Sequence, residues 1–201
     1  MIGAAGLAGS FRFNRVLIAF QSCLLGVDSV STDNGSRMEI MPIEPQHYGA
    51  VCDIYNHYIN NTVITFEYEP IDTAELAGRV EKYTRQFPWL VGVVDTDVVG
   101  YVYATSWNAR AAYARTVEIS AYLAHDQCAR GYGRQLYAAL LPQLESLGVH
   151  TVIAGIAMPN DASVRLQEAF GFVQVGLFQA VGFKHDRWLD VGYWQKRFPG
   201  Q

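Results

Sequence analysis

The fold is decided by the stretch at 116–123, Thr-Val-Glu-Ile-Ser-Ala-Tyr-Leu, and by the turn at 128–133, Cys-Ala-Arg-Gly-Tyr-Gly. In a β-strand, successive side chains point to opposite faces of the sheet. One face of this strand is apolar and consists of Val117, Ile119, Ala121 and Leu123. The other face carries hydroxyls and a carboxylate, from Thr116, Glu118, Ser120 and Tyr122. The stretch therefore predicts a strand with one core face and one polar face.

The glycine turn that follows this strand suits a bound anion. Glycine lets backbone N–H groups approach an anion closely, and the N-terminus of the next helix carries partial positive charge. Arg130 and Arg134 would assist a pyrophosphate there. The turn has neither the Lys-Ser/Thr ending of a P-loop nor a GxGxxG pattern. Taken alone, it is more typical of an ordinary tight connection from strand to helix.

Strand-like and helix-like segments alternate outward from this stretch. Further strands are predicted at 38–43, 90–94, 98–106, 149–157, 172–178 and 190–198. Helices are predicted to begin at Pro45, near Asp72, after Gly133, and at Asn160 or Asp161. The third helix has an apolar stripe made of Leu136, Leu140, Leu144 and Leu147, and Gly148 suits the left-handed position after it. The pattern predicts one α/β (α+β) domain with a mixed sheet over residues 38–201.

Composition narrows the class of protein. The chain has 201 residues, of which 50% are hydrophobic and 17% charged, as in a globular protein. The net charge of -4 argues against a nucleic-acid partner. The cysteines, Cys23, Cys52 and Cys128, lie far apart, and the histidines show no ligand spacing, so we expect no disulfide and no metal site. This cysteine usage favours a reducing, cytoplasmic location.

The first 37 residues form a separate segment. Arg12 and Arg15 precede an apolar run from Val16 to Val27, which is too short to span a bilayer. We interpret residues 1–37 as a non-catalytic extension, or as translation begun upstream of a natural start at Met38. A cleaved export signal is the alternative. No membrane partner is expected.

Several longer stretches resemble a known family. They are Ile-Tyr-Asn-His-Tyr-Ile at 54–59, Pro-Trp-Leu-Val at 88–91, Ser-Trp-Asn-Ala-Arg-Ala-Ala-Tyr at 106–113, Met-Pro-Asn-Asp-Ala-Ser-Val-Arg at 158–165 and Val-Gly-Phe-Lys-His at 181–185. Together they resemble the phosphinothricin acetyltransferases of the GNAT superfamily, including their methionine sulfone and methionine sulfoximine acetyltransferase relatives. The resemblance runs from about Met38 to Phe198.

The resemblance implies a fold and an activity. The fold would be a mixed, mostly antiparallel sheet flanked by helices, with strands splayed at the cofactor site. The activity would be transfer of an acetyl group from acetyl-CoA to the amine of a small amino-acid-like molecule, without a metal. Family members commonly form homodimers, so we expect a homodimer.

The resemblance also implies the site residues. Acetyl-CoA would contact Ala121, Tyr122, Leu123, Ala129, Arg130, Gly131, Tyr132, Gly133, Arg134 and Asn160. The amine substrate would contact Asn108, Ala109, Arg110, Tyr113, Glu118, Ile119 and Ser120. Glu118 matches the general base, and the planar fork of Arg110 suits a carboxylate or phosphinate. Phe66 and Trp107 are further candidates for the pocket wall, although aromatic residues more often form core.

Two positions depart from the family pattern. Cys128 stands where Gln or Arg is common in the pyrophosphate turn, and Gln167 stands where the superfamily often has a Tyr general acid. An amide cannot donate a proton usefully, so water or another group would protonate the thiolate.

Alternatives to the proposed activity remain open. Glu118 would be a surface carboxylate on a solvated sheet face, and Arg110 a solvated loop residue, if the site lay elsewhere. Another small amine, such as a polyamine, is an alternative substrate. A non-catalytic acyl-CoA-binding module is the alternative from another class of protein.

Overall fold

A computed structural model describes residues 37–200. Its strands are β1 Glu39–Pro42, β2 Trp89–Val94, β3 Asp97–Ser106, β4 Thr116–Leu123, β5 Thr151–Ala157, β6 Val173–Lys184 and β7 Arg187–Arg197. They form a seven-stranded sheet in the order β1-β2-β3-β4-β5-β7-β6. The pairing of β4 with β5 is parallel and the other pairings are antiparallel. The predicted mixed, mostly antiparallel sheet is confirmed, whereas the predicted N-terminal extension lies outside the described residues apart from Arg37.

The helices are α1 Tyr48–Asn61, α2 Thr73–Thr84, α3 Tyr132–Ser146 and α4 Asp161–Ala169. Two of them are preceded by a residue whose side chain accepts a hydrogen bond from a backbone N–H of the first turn. This N–H would otherwise have no partner within the helix. Asp72 accepts from the N–H of Glu75 at 2.8 Å, and Asn160 accepts from the N–H of Ser163 at 3.1 Å. Within residues 37–200, none of the helices combines the length and the apolar composition needed to cross a membrane.

The sheet has a hydrophobic core on each face. The apolar face of β4 packs in one core with Leu136, Leu140 and Leu144 of α3, so this part of the pattern is confirmed. Leu147 is 58% exposed, and its predicted place in the stripe is wrong because α3 ends at Ser146. Gly148 has φ of 79°, the left-handed conformation that its position after a helix requires.

The polar face of β4 is buried as well. Glu118 is 5% exposed, and Ser120 and Tyr122 are also buried. Aromatic side chains of α1 cover this face, since Tyr55 and Tyr58 both pack edge-on against Tyr122. The interpretation of Glu118 as a carboxylate on a solvated sheet face is therefore wrong.

The last two strands are longer than the sequence predicts. β6 and β7 form a hairpin whose turn is made by His185 and Asp186, both with positive φ. Their register shifts between Gln174 and Gly176 and again between Phe178 and Gly182. Each shift interrupts the two-residue alternation from which strands are predicted, so the pattern ends too early in β6.

Candidate active site

A cleft opens between the two parallel strands. β4 pairs with β5 at three positions, Thr116 with Thr151, Val117 with Val152, and Glu118 with Ile153. Beyond Glu118, β4 continues beside β3 alone, and beyond Ile153, β5 continues beside β7 alone. The two strands therefore separate immediately after Glu118, and the predicted splayed strands are confirmed.

Glu118 lies at the point where the strands separate. Its neighbours across the sheet are Thr105 of β3 and Ile153 of β5, whose side chains point to the same face. The backbone of Glu118 is thus placed by strand pairing on both sides, at the point where the cleft begins. The carboxylate is buried at this point, where a molecule bound in the cleft can meet it.

An aromatic wall lies on the same face of the sheet as Glu118, and Ile153, the strand partner of Glu118, packs against it. It consists of Phe66, Trp107 and Tyr193, which pack with the buried residues Ala157 and Val191. The rings of Trp107 and Tyr193 meet edge to face, with centroids 5.8 Å apart. Phe66 and Trp107 are sequence candidates for the pocket wall, and the structure brings them together.

Tyr193 was not among the site residues predicted from the sequence. In the antiparallel pairing of β5 with β7, this residue lies opposite Gly155. The two strands are neighbours in the sheet although β6 lies between them in the chain. Pairing between strands that are distant in sequence leaves no local signal. Only its position in an alternating run, before the core residue Trp194, marks Tyr193 as facing away from that core.

The predicted substrate segment connects β3 to β4. Its entry is held by the N–H of Trp107, which donates to the carbonyl oxygen of Thr116 at 3.2 Å. The side chain of Asn108 accepts a hydrogen bond from the N–H of Arg110 at 3.0 Å. Asn108, Ala109, Arg110 and Tyr113 are all exposed. This segment is therefore open to solvent, in contrast to the buried Glu118.

The other predicted substrate residues lie on β4. Ser120 shares the face of Glu118 and pairs across the sheet with Tyr103. The side chain of Ile119 packs in the core on the α3 side. Only the backbone of Ile119 is thus left for a contact on the side of Glu118.

The glycine turn lies at the far end of β4. Ala129 and Gly131 both have positive φ, 62° and 78°, and Gly131 is the residue that precedes the first turn of α3. Ala129 pays a steric cost for this conformation that glycine does not. The first turn of α3 has neither a side-chain cap nor an acidic residue, and Arg130 and Arg134 are exposed beside it. The backbone and both arginines therefore make this corner attractive to an anion.

Two buried groups support the ends of the cleft. The hydroxyl of Tyr58 in α1 donates to the carbonyl oxygen of Leu123 at 2.8 Å, which holds the end of β4. Burial raises the pKa of Tyr58 above its ordinary value of 10.0, so this hydroxyl remains a donor at neutral pH. Asn160 is 6% exposed and lies between the end of β5 and the start of α4.

Gln167 is fully buried between α3 and α4. Its amide nitrogen donates to the hydroxyl of Tyr137 at 2.6 Å. Burial raises the pKa of Tyr137 above its ordinary value. Gln167 therefore links the two helices that flank the cleft and offers no acidic proton, as its chemistry predicts.

Metal chemistry has no evident site in the described part of the chain. Among residues 37–200, no three or more His, Cys, Asp or Glu side chains are arranged to hold a metal ion.

The chain is similar to known acetyltransferases over most of its length. Residues 43–192 match the acetyltransferase (GNAT) domain family. A phosphinothricin N-acetyltransferase of Streptomyces viridochromogenes is 43% identical over 161 residues, which cover 80% of this chain and 88% of that protein. An L-methionine sulfoximine/L-methionine sulfone acetyltransferase of Salmonella typhimurium is 32% identical over 147 residues, covering 73% of this chain and 86% of that one.

A solved structure shares the fold. It is a GNAT superfamily phosphinothricin acetyltransferase from Sinorhizobium meliloti in complex with acetyl-CoA, with a TM-score of 0.78 and 32% identity. The alignment covers 80% of this chain and 88% of that protein. The interpretation as a non-catalytic module is thereby superseded. The chain belongs to the GNAT acetyltransferase family and is an acyltransferase.

Proposed function

We propose that the protein transfers the acetyl group of acetyl-CoA to the amino group of a small amino-acid-like molecule of the phosphinothricin, methionine sulfoximine or methionine sulfone type. The observation that carries this proposal is the separation of β4 from β5 directly after the buried Glu118. The separation places a carboxylate at one end of the β4 edge and an anion-attracting turn at the other end.

The residues along this edge fit acetyl-CoA. From Glu118 to Leu123 the strand extends about 17 Å, at about 3.3 Å per residue. The backbone of Ala121, Tyr122 and Leu123 would bind the pantetheine arm, and residues 129–134 would bind the pyrophosphate. Asn160 would bind the arm from the β5 side. When bound, acetyl-CoA supplies the acetyl thioester that an amine attacks.

Glu118 is proposed as the general base. An α-amine has a pKa of about 8, so only a minority of it is the nucleophilic free base at pH 7. A carboxylate at the apex of the cleft accepts the proton as the amine attacks, directly or through water. Transfer is then direct, without a covalent acyl-enzyme.

The amine substrate is proposed to lie between Glu118 and the aromatic wall. Phe66, Trp107 and Tyr193 would enclose its side chain by apolar contact. Arg110 would bind its carboxylate or phosphinate from the exposed segment, together with Asn108, Ala109, Tyr113, Ile119 and Ser120. An anionic substrate is favoured over a polyamine because the guanidinium group of Arg110 attracts an anion and repels a polycation.

Thiol release tests this function directly. The protein is mixed with acetyl-CoA and, in separate reactions, with phosphinothricin, methionine sulfoximine, methionine sulfone or spermidine, and free CoA is followed. We expect release that depends on the three amino-acid-like amines and not on spermidine. Release of CoA with spermidine alone would show that the substrate is a polyamine and not an amino-acid-like amine. Acetyl-CoA binding without release by any amine would contradict the proposal.

A homodimer is proposed to form through the outer hairpin. Large apolar side chains are exposed along it, namely Val173, Val175, Leu177, Phe178, Val181, Phe183 and Trp188. Apolar surface of this extent commonly marks an interface. Sedimentation should give a particle of two chains, and Leu177→Lys should give a single chain. A wild-type particle of one chain would contradict the proposal.

Residues 38–201 are proposed to act as the single catalytic domain, so a chain that begins at Met38 should keep full turnover.

A cytoplasmic location is proposed from the cysteine usage, and fractionation of cells that make the full chain would test it.

A further inference from the structure

Lys184, the last residue of β6, is an unusual lysine because it is buried. It is 1% exposed, and its Nζ donates to the carbonyl oxygens of Ile59 at 2.7 Å and of Thr65 at 2.8 Å. Lysine is almost never fully buried, since removing an ammonium group from water is costly. These two hydrogen bonds join the C-terminal end of α1 to the loop that follows it.

The neighbours of Lys184 contact the same loop. We call residues 182–185 the hairpin tip and residues 62–68 the clasped loop. The hydroxyl of Tyr68 donates to the carbonyl oxygen of Phe183, and Nε2 of His185 lies 3.2 Å from the carbonyl oxygen of Thr62. The hairpin tip therefore contacts the clasped loop near both of its ends.

Between these contacts, Gly182 lies directly under the ring of Phe66. A Cβ at residue 182 would lie 2.1 Å from the nearest ring atom of Phe66, well inside van der Waals contact. The hairpin tip thus supplies a seat for this ring, and any side chain at residue 182 would displace it.

The opposite side of the clasped loop is fixed to α1 and α2. Arg79 forms two parallel hydrogen bonds to the carboxylate of Glu67, at 2.8 and 2.9 Å. The hydroxyl of Tyr55 donates to the same carboxylate at 2.8 Å. Phe66 therefore lies between a loop anchor at Glu67 and the hairpin tip, with its ring directed into the aromatic wall.

We propose that Lys184 is a positioning residue, which holds the clasped loop so that Phe66 completes the aromatic wall of the amine pocket. This inference rests on the proposed function, because it takes the aromatic wall as part of the amine site. It assigns Lys184 to amine binding and not to acetyl-CoA binding, since the clasped loop is separate from the turn at 128–133.

Lys184→Met tests the proposal because it keeps the apolar stem and removes the donors. We expect the KM for the amine to rise about tenfold or more, as loss of charged hydrogen bonds implies, with the KM for acetyl-CoA unchanged. Lys184→Arg keeps a charged donor and should recover part of the loss. The matched control is Lys196→Met, because Lys196 of β7 also donates to a backbone carbonyl, that of Phe170 at 2.9 Å. An unchanged KM for the amine in Lys184→Met, or an equal rise of both KM values, would overturn the proposal.

Hydrogen exchange separates this inference from the proposed function. Amide exchange of residues 62–68 should accelerate in Lys184→Met and not in Lys196→Met, whether or not any amine is acetylated. If the wild type acetylates none of the amines but exchange of residues 62–68 accelerates in Lys184→Met, the proposed function is wrong, whereas Lys184 does hold the clasped loop. Unchanged exchange in Lys184→Met would show that Lys184 does not hold the clasped loop.

Gly182→Ala probes the same clasp without changing a charge. The added methyl group should push the ring of Phe66 and raise the KM for the amine. In a Phe66→Ala background the ring is absent, so Gly182→Ala should have no further effect. Equal increments in the two backgrounds would show that Gly182 does not act through Phe66, which would contradict the proposed seat.

The pH dependence of stability reports whether Lys184 is buried in solution. Burial lowers the pKa of Lys184 from 10.5 to about 8, and the nearby carboxylate of Glu67 partly opposes this shift. Between these values the unfolded chain holds more protons than the folded chain, so the free energy of unfolding rises with pH. The stability of the wild type relative to Lys184→Met should therefore increase from pH 8 to about pH 10.5. A constant difference over this range would contradict the buried position.

Discussion

Glu118→Gln should lower the turnover number about 10²–10⁴-fold, the usual contribution of a general base. Gln keeps the size of the side chain and can still form hydrogen bonds, but it cannot accept the proton of the attacking amine. The cofactor residues are untouched, so the KM for acetyl-CoA should change little. Thiol release at saturating acetyl-CoA, with the amine varied, measures both quantities.

The pH profile distinguishes loss of a base from loss of structure. Without a base, turnover should depend on the fraction of amine that is already unprotonated, which rises with pH through the amine pKa of about 8. The deficit of Glu118→Gln should therefore shrink as pH rises. Glu168→Gln is the matched control, since Glu168 is exposed on α4. Turnover of Glu118→Gln equal to that of wild type would remove Glu118 from the mechanism.

The double variant Arg130→Gln/Arg134→Gln should weaken acetyl-CoA binding on the order of 100-fold, because each charged hydrogen bond contributes about 1.5–3 kcal/mol. Both guanidinium groups lie beside the first turn of α3, where the positive φ of Ala129 and Gly131 shapes the backbone. Titration calorimetry with acetyl-CoA measures the loss. Because the exposed charges are screened by salt, the wild-type affinity should also fall with ionic strength more steeply than that of the variant.

A shortened donor gives the sharpest control for this variant. Acetyl-pantetheine lacks the diphosphate, so the wild type and the double variant should use it at the same rate. Arg197→Gln, at the exposed end of β7, should leave acetyl-CoA binding unchanged. Equal losses with acetyl-CoA and with acetyl-pantetheine would show that the arginines act on something other than the diphosphate.

Much of the local structure at the proposed cofactor side of the site could be predicted from the sequence. The alternation in 116–123 predicted a strand with Glu118 on one face and a core on the other, and the structure has both. The left-handed Gly148 was predicted from residue type alone, and the cap of the last helix was narrowed to Asn160 or Asp161, of which the structure uses Asn160. These features are local, because a strand period, a helix cap or a glycine conformation depends on a few consecutive residues.

The substrate side could be predicted only in part. Phe66 and Trp107 were candidates, whereas Tyr193 was not. Lys184 stood within the family-like stretch at 181–185, but the sequence assigned it no role in the site. The positions of Tyr193 and Lys184 depend on β7 pairing with β5 and on the hairpin tip reaching the loop after α1. The register shifts in β6 further hide its alternation.

By itself the sequence determined the order and the approximate positions of the strands and helices. It also determined that Glu118 lies on the polar face of one strand and that a glycine turn follows this strand. Only the tertiary structure decided that Glu118 is buried where two strands part, and that Phe66 lies over Gly182 in one cluster with Trp107 and Tyr193. The physical reason is the separation along the chain of the residues that interact. Periodicity and turn chemistry are set by neighbouring residues, whereas burial and pocket shape are set by contacts between segments far apart in the chain.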